Sequence, residues 1–392
     1  MFNFIMVFLL LISSVNAQTN KDVLKQIAVN NKEIKVFREY SNSLNISSKT
    51  NLFPVNPVVE YSYLSGSDLT SGNKQEFIIS QSFDFPSIYF QKSDIAGLQN
   101  KSNEFQLKIF KLKILVTTQN YLNDYIYWKT RIDELTKRMT LAENIYKTLQ
   151  IRFEKGDIGI LELNKSKSLL NLAVSKLNMA KIELNSILSE LVNLNGGKPI
   201  NINFNEYQIY YITADFDSLF TELRKSDYNI QSFETEKELY EKKLGLAKSG
   251  WLPEFGIGYR QDNENDIKYN GLRLQMSIPV FENTNQVPKA ESELNYIDVK
   301  IQSYISKFYI EKKRLHGKAI ELENTVKMQK EILQNNQLEL NLKSYELGHI
   351  SLTQFYYDNM IFYEIIDSVT DTEREYQKVI SELMIEILAK EL

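Results

Sequence analysis

Cysteine is absent from the 392-residue chain. That absence excludes disulfides, a thiol nucleophile, a zinc–thiolate site and a lipidated N-terminal cysteine. Histidine occurs twice, at His316 and His349, too far apart in sequence for a His-rich metal cage. There are only 14 Gly and 7 Pro, and so few breakers point to long uninterrupted helices. Neither charge sign is in excess: 46 Lys and Arg face 50 Asp and Glu, a net charge of −4. This argues against non-specific nucleic-acid binding. No Gly-rich phosphate loop, nucleophile elbow or metal-ligand spacing is found. A carboxylate-based hydrolase therefore has no motif behind it, and the chain reads as neither an enzyme nor a cofactor or metal binder. Past the N-terminus no stretch approaches 18 apolar residues, so no second membrane helix is expected. What remains is a chain that is 43% hydrophobic, enough for a large core.

Residues 2–12, FNFIMVFLLLI, hold Asn3 as their one polar residue. Small side chains at Val15-Asn16-Ala17 then fit cleavage after Ala17. The segment reads as a secretory signal peptide over residues 1–17, although no Lys or Arg precedes the apolar run. An uncleaved anchor is the alternative.

The mature chain reads as two similar halves, 18–195 and 216–392, joined by a connector at 196–215. Phe153-Glu-Lys-Gly-Asp-Ile158 matches Tyr345-Glu-Leu-Gly-His-Ile350, and Phe83-Asp-Phe-Pro86 matches Met276-Ser-Ile-Pro279. Pro57–Tyr63 matches Pro253–Tyr259 in the same order. Pro86 to Gly156 and Pro279 to Gly348 each span about 70 positions, so order and spacing both repeat. The first half predicts a helix over 20–50, strands near 57–64 and 76–86, a long helix 87–152 and a helix 160–195. The second predicts a helix 216–250, strands near 253–260 and 270–279, a long helix 288–346 and a helix 351–390. Asn195-Gly196-Gly197-Lys198-Pro199 is a stop signal between them, followed by a possible short strand at Ile200–Phe204.

Heptads mark the helices. Leu163, Ser166, Leu170, Ala173, Leu177, Ala180, Leu184, Ile187, Leu191 and Leu194 follow a 3-4 spacing. One edge of the seam is Leu throughout and the other is mostly small, which lets two backbones approach. Ile132, Leu135, Met139, Ala142, Tyr146, Leu149 and Phe153 repeat the pattern. Ile95, Leu98, Ser102, Phe105, Ile109, Leu112 and Val116 do so in another phase. A helix of about 65 residues is ~100 Å long, far beyond the diameter of a compact domain, so the helices should form a rod.

The strands alternate. Phe77, Ile79, Phe83 and Phe85 interleave with Ile78, Ser80, Ser82 and Asp84. Phe255, Ile257 and Tyr259 interleave with Gly256, Gly258 and Arg260, and Leu272, Leu274, Met276 and Ile278 with Arg273, Gln275 and Ser277. Such period-2 patterning suits a barrel wall with lipid outside and water inside; a soluble sheet on a core would alternate equally. Tyr61, Tyr63, Tyr259 and Tyr269 are candidates for interfacial aromatics. Four strands cannot close a barrel, and an open edge in lipid costs several kcal/mol per unpaired backbone group. Membrane strands would therefore require oligomers, with eight strands in a dimer or twelve in a trimer.

A leader, a tandem helix–strand–strand–long helix–helix repeat and a rod of this length together resemble the TolC family of outer-membrane efflux proteins. Arg152-Phe-Glu-Lys-Gly156-Asp-Ile-Gly-Ile-Leu161-Glu-Leu163, followed by heptads, resembles the family's turn at the periplasmic tip. The resemblance covers about residues 20–390. Ser344 and His349 depart from it where the first half has Arg152 and Asp157. It implies a mainly α fold with a small β part: a long antiparallel coiled-coil helical barrel plus four transmembrane strands per protomer, sharing a 12-stranded barrel in a homotrimer. It also implies an outer-membrane location with a long periplasmic extension, a periplasmic adaptor (membrane-fusion) protein and an inner-membrane pump of RND or ABC type.

On that resemblance the chain is a conduit exporting small molecules, metal ions or proteins, with no chemical step. Its tips would be the turns Gly156-Asp157-Ile158 and Gly348-His349-Ile350, where Gly adopts the left-handed conformation that ends a helix. Ile158, Ile160, Ile350 and Leu352 would offer an apolar docking surface beside Arg152. Asp157 is read as a solvated helix cap or as one carboxylate of a ring, and His349 as a surface residue. No Met or His cluster supports heavy-metal cargo. The competing reading is a periplasmic coiled-coil scaffold whose strands form a soluble cap.

Overall fold

The computed structural model describes residues 20–50, 52–67, 72–208, 210, 212–264, 266–333 and 336–388. The leader read at residues 1–17 lies outside them. The elements are α1 (Asn20–Asn30), α2 (Lys32–Ser47), β1 (Val58–Ser65), β2 (Asn73–Phe83), α3 (Pro86–Glu154), α4 (Ile160–Leu194), α5 (Phe216–Ser226), α6 (Tyr228–Ser249), β3 (Glu254–Glu264), β4 (Ile267–Ser277), α7 (Gln286–Leu333), α8 (Gln337–Glu346) and α9 (Leu352–Leu388). With 69 residues, α3 is ~100 Å long.

The chain forms two compact units, and they are not the two halves of the sequence. One unit takes Glu33–Lys111 and Phe220–Lys312; the other takes the residues up to Lys32, Leu112–Leu219 and those from Lys313 on. Each draws on both halves.

The first unit carries the sheet, antiparallel throughout in the order β1-β2-β3-β4. Its helical part packs through aromatics. Phe37 stacks on Phe110 at 4.6 Å, Tyr304 meets Phe233 at 5.1 Å and Phe308 at 5.9 Å, and Lys300 lies 4.4 Å over the Phe233 ring.

The second unit is built on seams. On α4 the heptad positions Ser166, Leu177, Ala180 and Leu191 are buried, and the remaining six are half-buried. Leu177 and Ala180 pack with Leu135, Trp128, Ile132 and Met139 of α3, so large residues face small ones across the seam. The α3 seam stays covered through Leu149 and opens at Phe153, which is 37% exposed.

Against α9 the seam of α3 turns ionic. Asp124 accepts from Arg374 at 2.6 Å and pairs with Lys378 at 3.0 Å. The Tyr127 hydroxyl donates to Asp371 at 2.6 Å. Arg131 and Arg138 both pair with Asp367, Arg138 at 2.7 Å, and Arg138 lies over the Tyr363 ring at 4.2 Å. Leu122 through Tyr127 are all buried, so Asp124 is largely withdrawn from water and depends on its partners; the other charges of this seam keep part of their surface in solvent.

Three helices expected to be continuous are broken, each at Asn or Asp. The 20–50 helix stops at Asn31, which is 3% exposed. Its side chain donates to Leu194 O at 2.9 Å, capping a carbonyl at the end of α4. The 216–250 helix breaks at Asp227, whose carboxylate accepts from Ile230 N at 2.7 Å as the N-cap of α6. The 288–346 helix divides into α7 and α8, and Asn336, with φ 46°, begins α8. Asn is one of the few residues that visit the left-handed region.

Ile200–Phe204 form no strand. Ile202 is buried, and Tyr125 of α3 donates to its carbonyl at 3.5 Å. His316, which had no reading from sequence, anchors the end of the connector. It is buried, its Nε2 lies 2.8 Å from Thr213 O, and its ring is 5.4 Å from Phe216.

Two outcomes follow for purified protein. At Gly196 φ is +70° and a β-carbon would lie 2.5 Å from Asn30 O; Gly196→Ala should cost about 2–4 kcal/mol. Gly317→Ala, with nothing within 4 Å, should instead gain about 0.5–1 kcal/mol. Unfolding midpoints of the two variants check the contrast. Burial, and then its bond to Asp371, push the Tyr127 phenol up to about 12. The folded state holds that proton more tightly than the unfolded chain, which loses it near pH 10. Stability from this group is therefore complete below pH 10 and lost as pH rises toward 12, by roughly 1 kcal/mol at pH 11. Tyr127→Phe should flatten that part of the stability–pH curve.

Candidate functional sites: the paired turns and the apolar sheet face

Both turns belong to the second unit and have the same geometry. Gly156 has φ +80° and Gly348 φ +76°. Gly156 N donates to Phe153 O at 2.9 Å and Asp157 N to Arg152 O at 2.9 Å; Gly348 N donates to Tyr345 O at 3.0 Å and His349 N to Ser344 O at 2.9 Å. Each is the two-bond Schellman closure, which needs a left-handed residue at that one position. Neither glycine has a neighbour within 4 Å of a β-carbon, so backbone conformation alone selects glycine.

The helices restart differently. Ser351 accepts from Gln354 N at 3.1 Å ahead of α9. Gly159 is the N-cap of α4, with no side-chain cap, so Asp157 does not hold that capping position. Asp157 and His349 are both exposed. No group of metal-ligating side chains occurs among the described residues.

Beneath the turns Ile145, Leu149 and Phe355 are buried. Ile158, Ile350 and Leu352 pack against them and are themselves partly buried. Three of the four apolar residues read as a docking surface thus belong mainly to the support under it. Ile160 is 53% exposed, and Leu161 and Leu347, which the reading passed over, are 82% and 71% exposed. Leu161 stood inside the motif; which face it would take was not evident from spacing. A groove of about 610 Å³ beside the turns is lined by Arg152, Glu162, Tyr345 and Glu346 over an apolar floor that includes Leu149 and Leu352. Burial raises the Tyr345 phenol, with Arg152 opposing, and pushes Tyr356 up to about 12.

The sheet belongs to the first unit. Its register pairs Tyr61 with Phe77, Ile79 with Tyr259, Phe83 with Phe255, Phe255 with Met276, Ile257 with Leu274 and Tyr259 with Leu272. Directly opposed residues share a face, so these side chains form one apolar surface. All thirteen residues read as lipid-facing, including Tyr63 and, just beyond the strands, Phe85 and Ile278, are at least 36% exposed. Tyr269 pairs with Asp262 and lies on the opposite face, correcting its reading as an interfacial aromatic beside Tyr259. That opposite face carries the charges. Arg260 pairs with Glu76 at 2.7 Å and Asp262 at 2.9 Å, and Lys74 approaches Asp262 at 3.7 Å and Glu264 at 3.9 Å.

No family model matches the chain, and no curated protein is similar to it by sequence. Solved structures are. A membrane protein from Pseudomonas aeruginosa superposes with TM-score 0.77 at 12% identity, covering 94% of this chain and 89% of that one. The MtrE outer membrane channel of Neisseria gonorrhoeae gives 0.74 at 11% identity, covering 94% and 88%. The Campylobacter jejuni CmeC outer membrane channel gives 0.70 at 16% identity, covering 94% and 85%. This chain has the fold of those proteins: long helices with a small antiparallel sheet, as the resemblance to the TolC family implied.

Proposed function

We propose that this chain is the outer-membrane channel of a tripartite efflux or secretion system. One observation carries the reading: a four-stranded sheet exposes an apolar face, with Gln81 set between Ile79 and Phe83 on β2, while its outer strands, β1 and β4, each have a neighbour on one side only among the described residues. In lipid such edges must be paired, and a second copy supplies the complementary edge. Three copies give twelve strands around one lumen, with Arg260, Glu76, Asp262 and Lys74 facing water. The fold shared with outer membrane channels from Campylobacter jejuni and Neisseria gonorrhoeae supports the same reading.

The helices would continue that lumen into the periplasm, with the paired turns as the docking end for an adaptor protein and, through it, an inner-membrane pump. Leu161, Leu347 and Ile160 are the apolar contacts offered outward, and Arg152 and Glu162 give the adjoining groove its polar rim. No chemistry is required of the chain, since transport energy would come from the pump. The exported cargo is set elsewhere in such an assembly.

The reading has two checks. Membrane fractions should release the protein only with detergent, as an oligomer that dissociates on heating; recovery as a monomer without detergent would favour the periplasmic scaffold instead. Leu161→Glu combined with Leu347→Glu should abolish export in cells that depend on this chain, with the amount of membrane-inserted oligomer unchanged. Undiminished export would place docking away from the turns.

A further inference from the structure

We infer that neighbouring copies join in one fixed register, with Glu60 of β1 opposite Gln275 of the next copy's β4 and within ion-pair reach of that copy's Arg273. This rests on the reading that three copies share one barrel, and it specifies how their edges meet. Most charges on the polar face of the sheet are satisfied within one copy. Arg260 is held by Glu76 and Asp262, and Lys74 lies between Asp262 and Glu264. Each edge strand carries one charge on that face, an acid on β1 and a base on β4. Glu60 shares a row with Arg260, and Arg273 shares the next row with Gly258 and Ser80. Neither Glu60 nor Arg273 has a hydrogen bond or ion pair among the described residues. In a ring of identical copies every junction sets the acidic edge against the basic one. That complementarity argues for a second copy as the occupant of the edge.

Two constraints overlap at a single register. Across one sheet Glu60 lies level with Ile78, Arg260 and Gly271. The two faces stay continuous around a barrel only if each copy adds an even step along the strands. A step of zero sets Glu60 opposite the next copy's Gly271, two opposite Arg273, four opposite Gln275 and six opposite Ser277. Opposed and diagonal neighbours, ~5–8 Å apart, are within reach of a long side chain. Contact with Arg273 therefore allows steps of zero, two or four and excludes six. Tilt then decides among them. With strands ~4.8 Å apart and a rise of ~3.4 Å per residue, a step of zero leaves the strands upright, two tilts them by ~20° and four by ~35°. Barrel strands tilt by about 35–45°, so a step of four satisfies both constraints. The apolar face agrees. This register sets Tyr63, Tyr61 and Val59 against Leu272, Leu274 and Met276, whereas a step of two would set Tyr63 against Asn270.

The chain has no cysteine, so introduced pairs report the register directly and can leave Glu60 and Arg273 in place. Tyr61→Cys combined with Leu274→Cys, in the full chain oxidised in isolated membranes, should give a covalent oligomer that survives boiling until reduced. Within one copy two strands stand between these positions, at least ~14 Å, so the disulfide must join copies. Tyr61→Cys with Leu272→Cys and Tyr61→Cys with Met276→Cys, which match steps of two and six, should cross-link at least fivefold less. A second measurement uses charge. At the temperature where half of the parent oligomer has dissociated, Glu60→Lys should leave at least threefold less oligomer, and adding Arg273→Glu should restore it. Stronger cross-linking at either competing pair overturns the inference and leaves the channel reading standing. So does a charge swap that restores nothing, or a cross-linked product holding a different protein. Protein that stays monomeric and free of cross-links after detergent extraction overturns both.

Discussion

A backbone N–H or C=O has no water to turn to in hydrocarbon, and leaving one unpaired costs several kcal/mol. β1 and β4 each offer a whole edge of such groups. An apolar face without closed edges is unstable in lipid, and closed edges require further copies. On the channel reading, assembly and membrane insertion are therefore one requirement seen from two sides. The charges on the other face fit it. Arg260 pairs with Glu76 and Lys74 with Asp262 across strands, which suits a wall wetted on the inside, where solvent screens each pair.

The helical units solve a different problem. An apolar seam such as α4 against α3 gains from area removed from water and tolerates exchange among similar residues. The ionic seam of α3 and α9 does not. Removing Arg374 and Lys378 together would leave Asp124, the most enclosed of these carboxylates, without its cations. Such a seam holds one register, because sliding by a turn would set Asp367 and Asp371 against the wrong partners. The apolar seam supplies the bulk of the adhesion and the ionic seam fixes the alignment.

Much of this was readable from sequence, and the failures have definite causes. Period-2 alternation found the apolar face because a strand's two faces differ by one residue, whatever the fold. Tyr269 was misread although it stands an odd number of residues from Leu272 in the same strand, which alternation alone assigns to the opposite face. The break at Asp227 did carry a signal, an Asp three residues ahead of Ile230, hidden by good helix formers on either side. That at Asn31 carried none: its side chain caps α4, more than 160 positions away. At the turns the glycines were legible, since φ alone demands them. Burial of Ile158, Ile350 and Leu352 was not, because it depends on Phe355 filling the space beneath.

The two halves agree where the backbone leaves no choice and differ where it leaves some. Gly156 and Gly348 share one turn geometry to within a few tenths of an ångström in their hydrogen bonds. The side chains around them have diverged: Arg152 against Ser344, Asp157 against His349. The long helix is unbroken in the first half and divided in the second at Asn336. Asn336 is left-handed where α8 starts, so the amide ladder of α7, which ends at Leu333, does not run on into α8. The second half therefore gives up helix stability that the first half keeps.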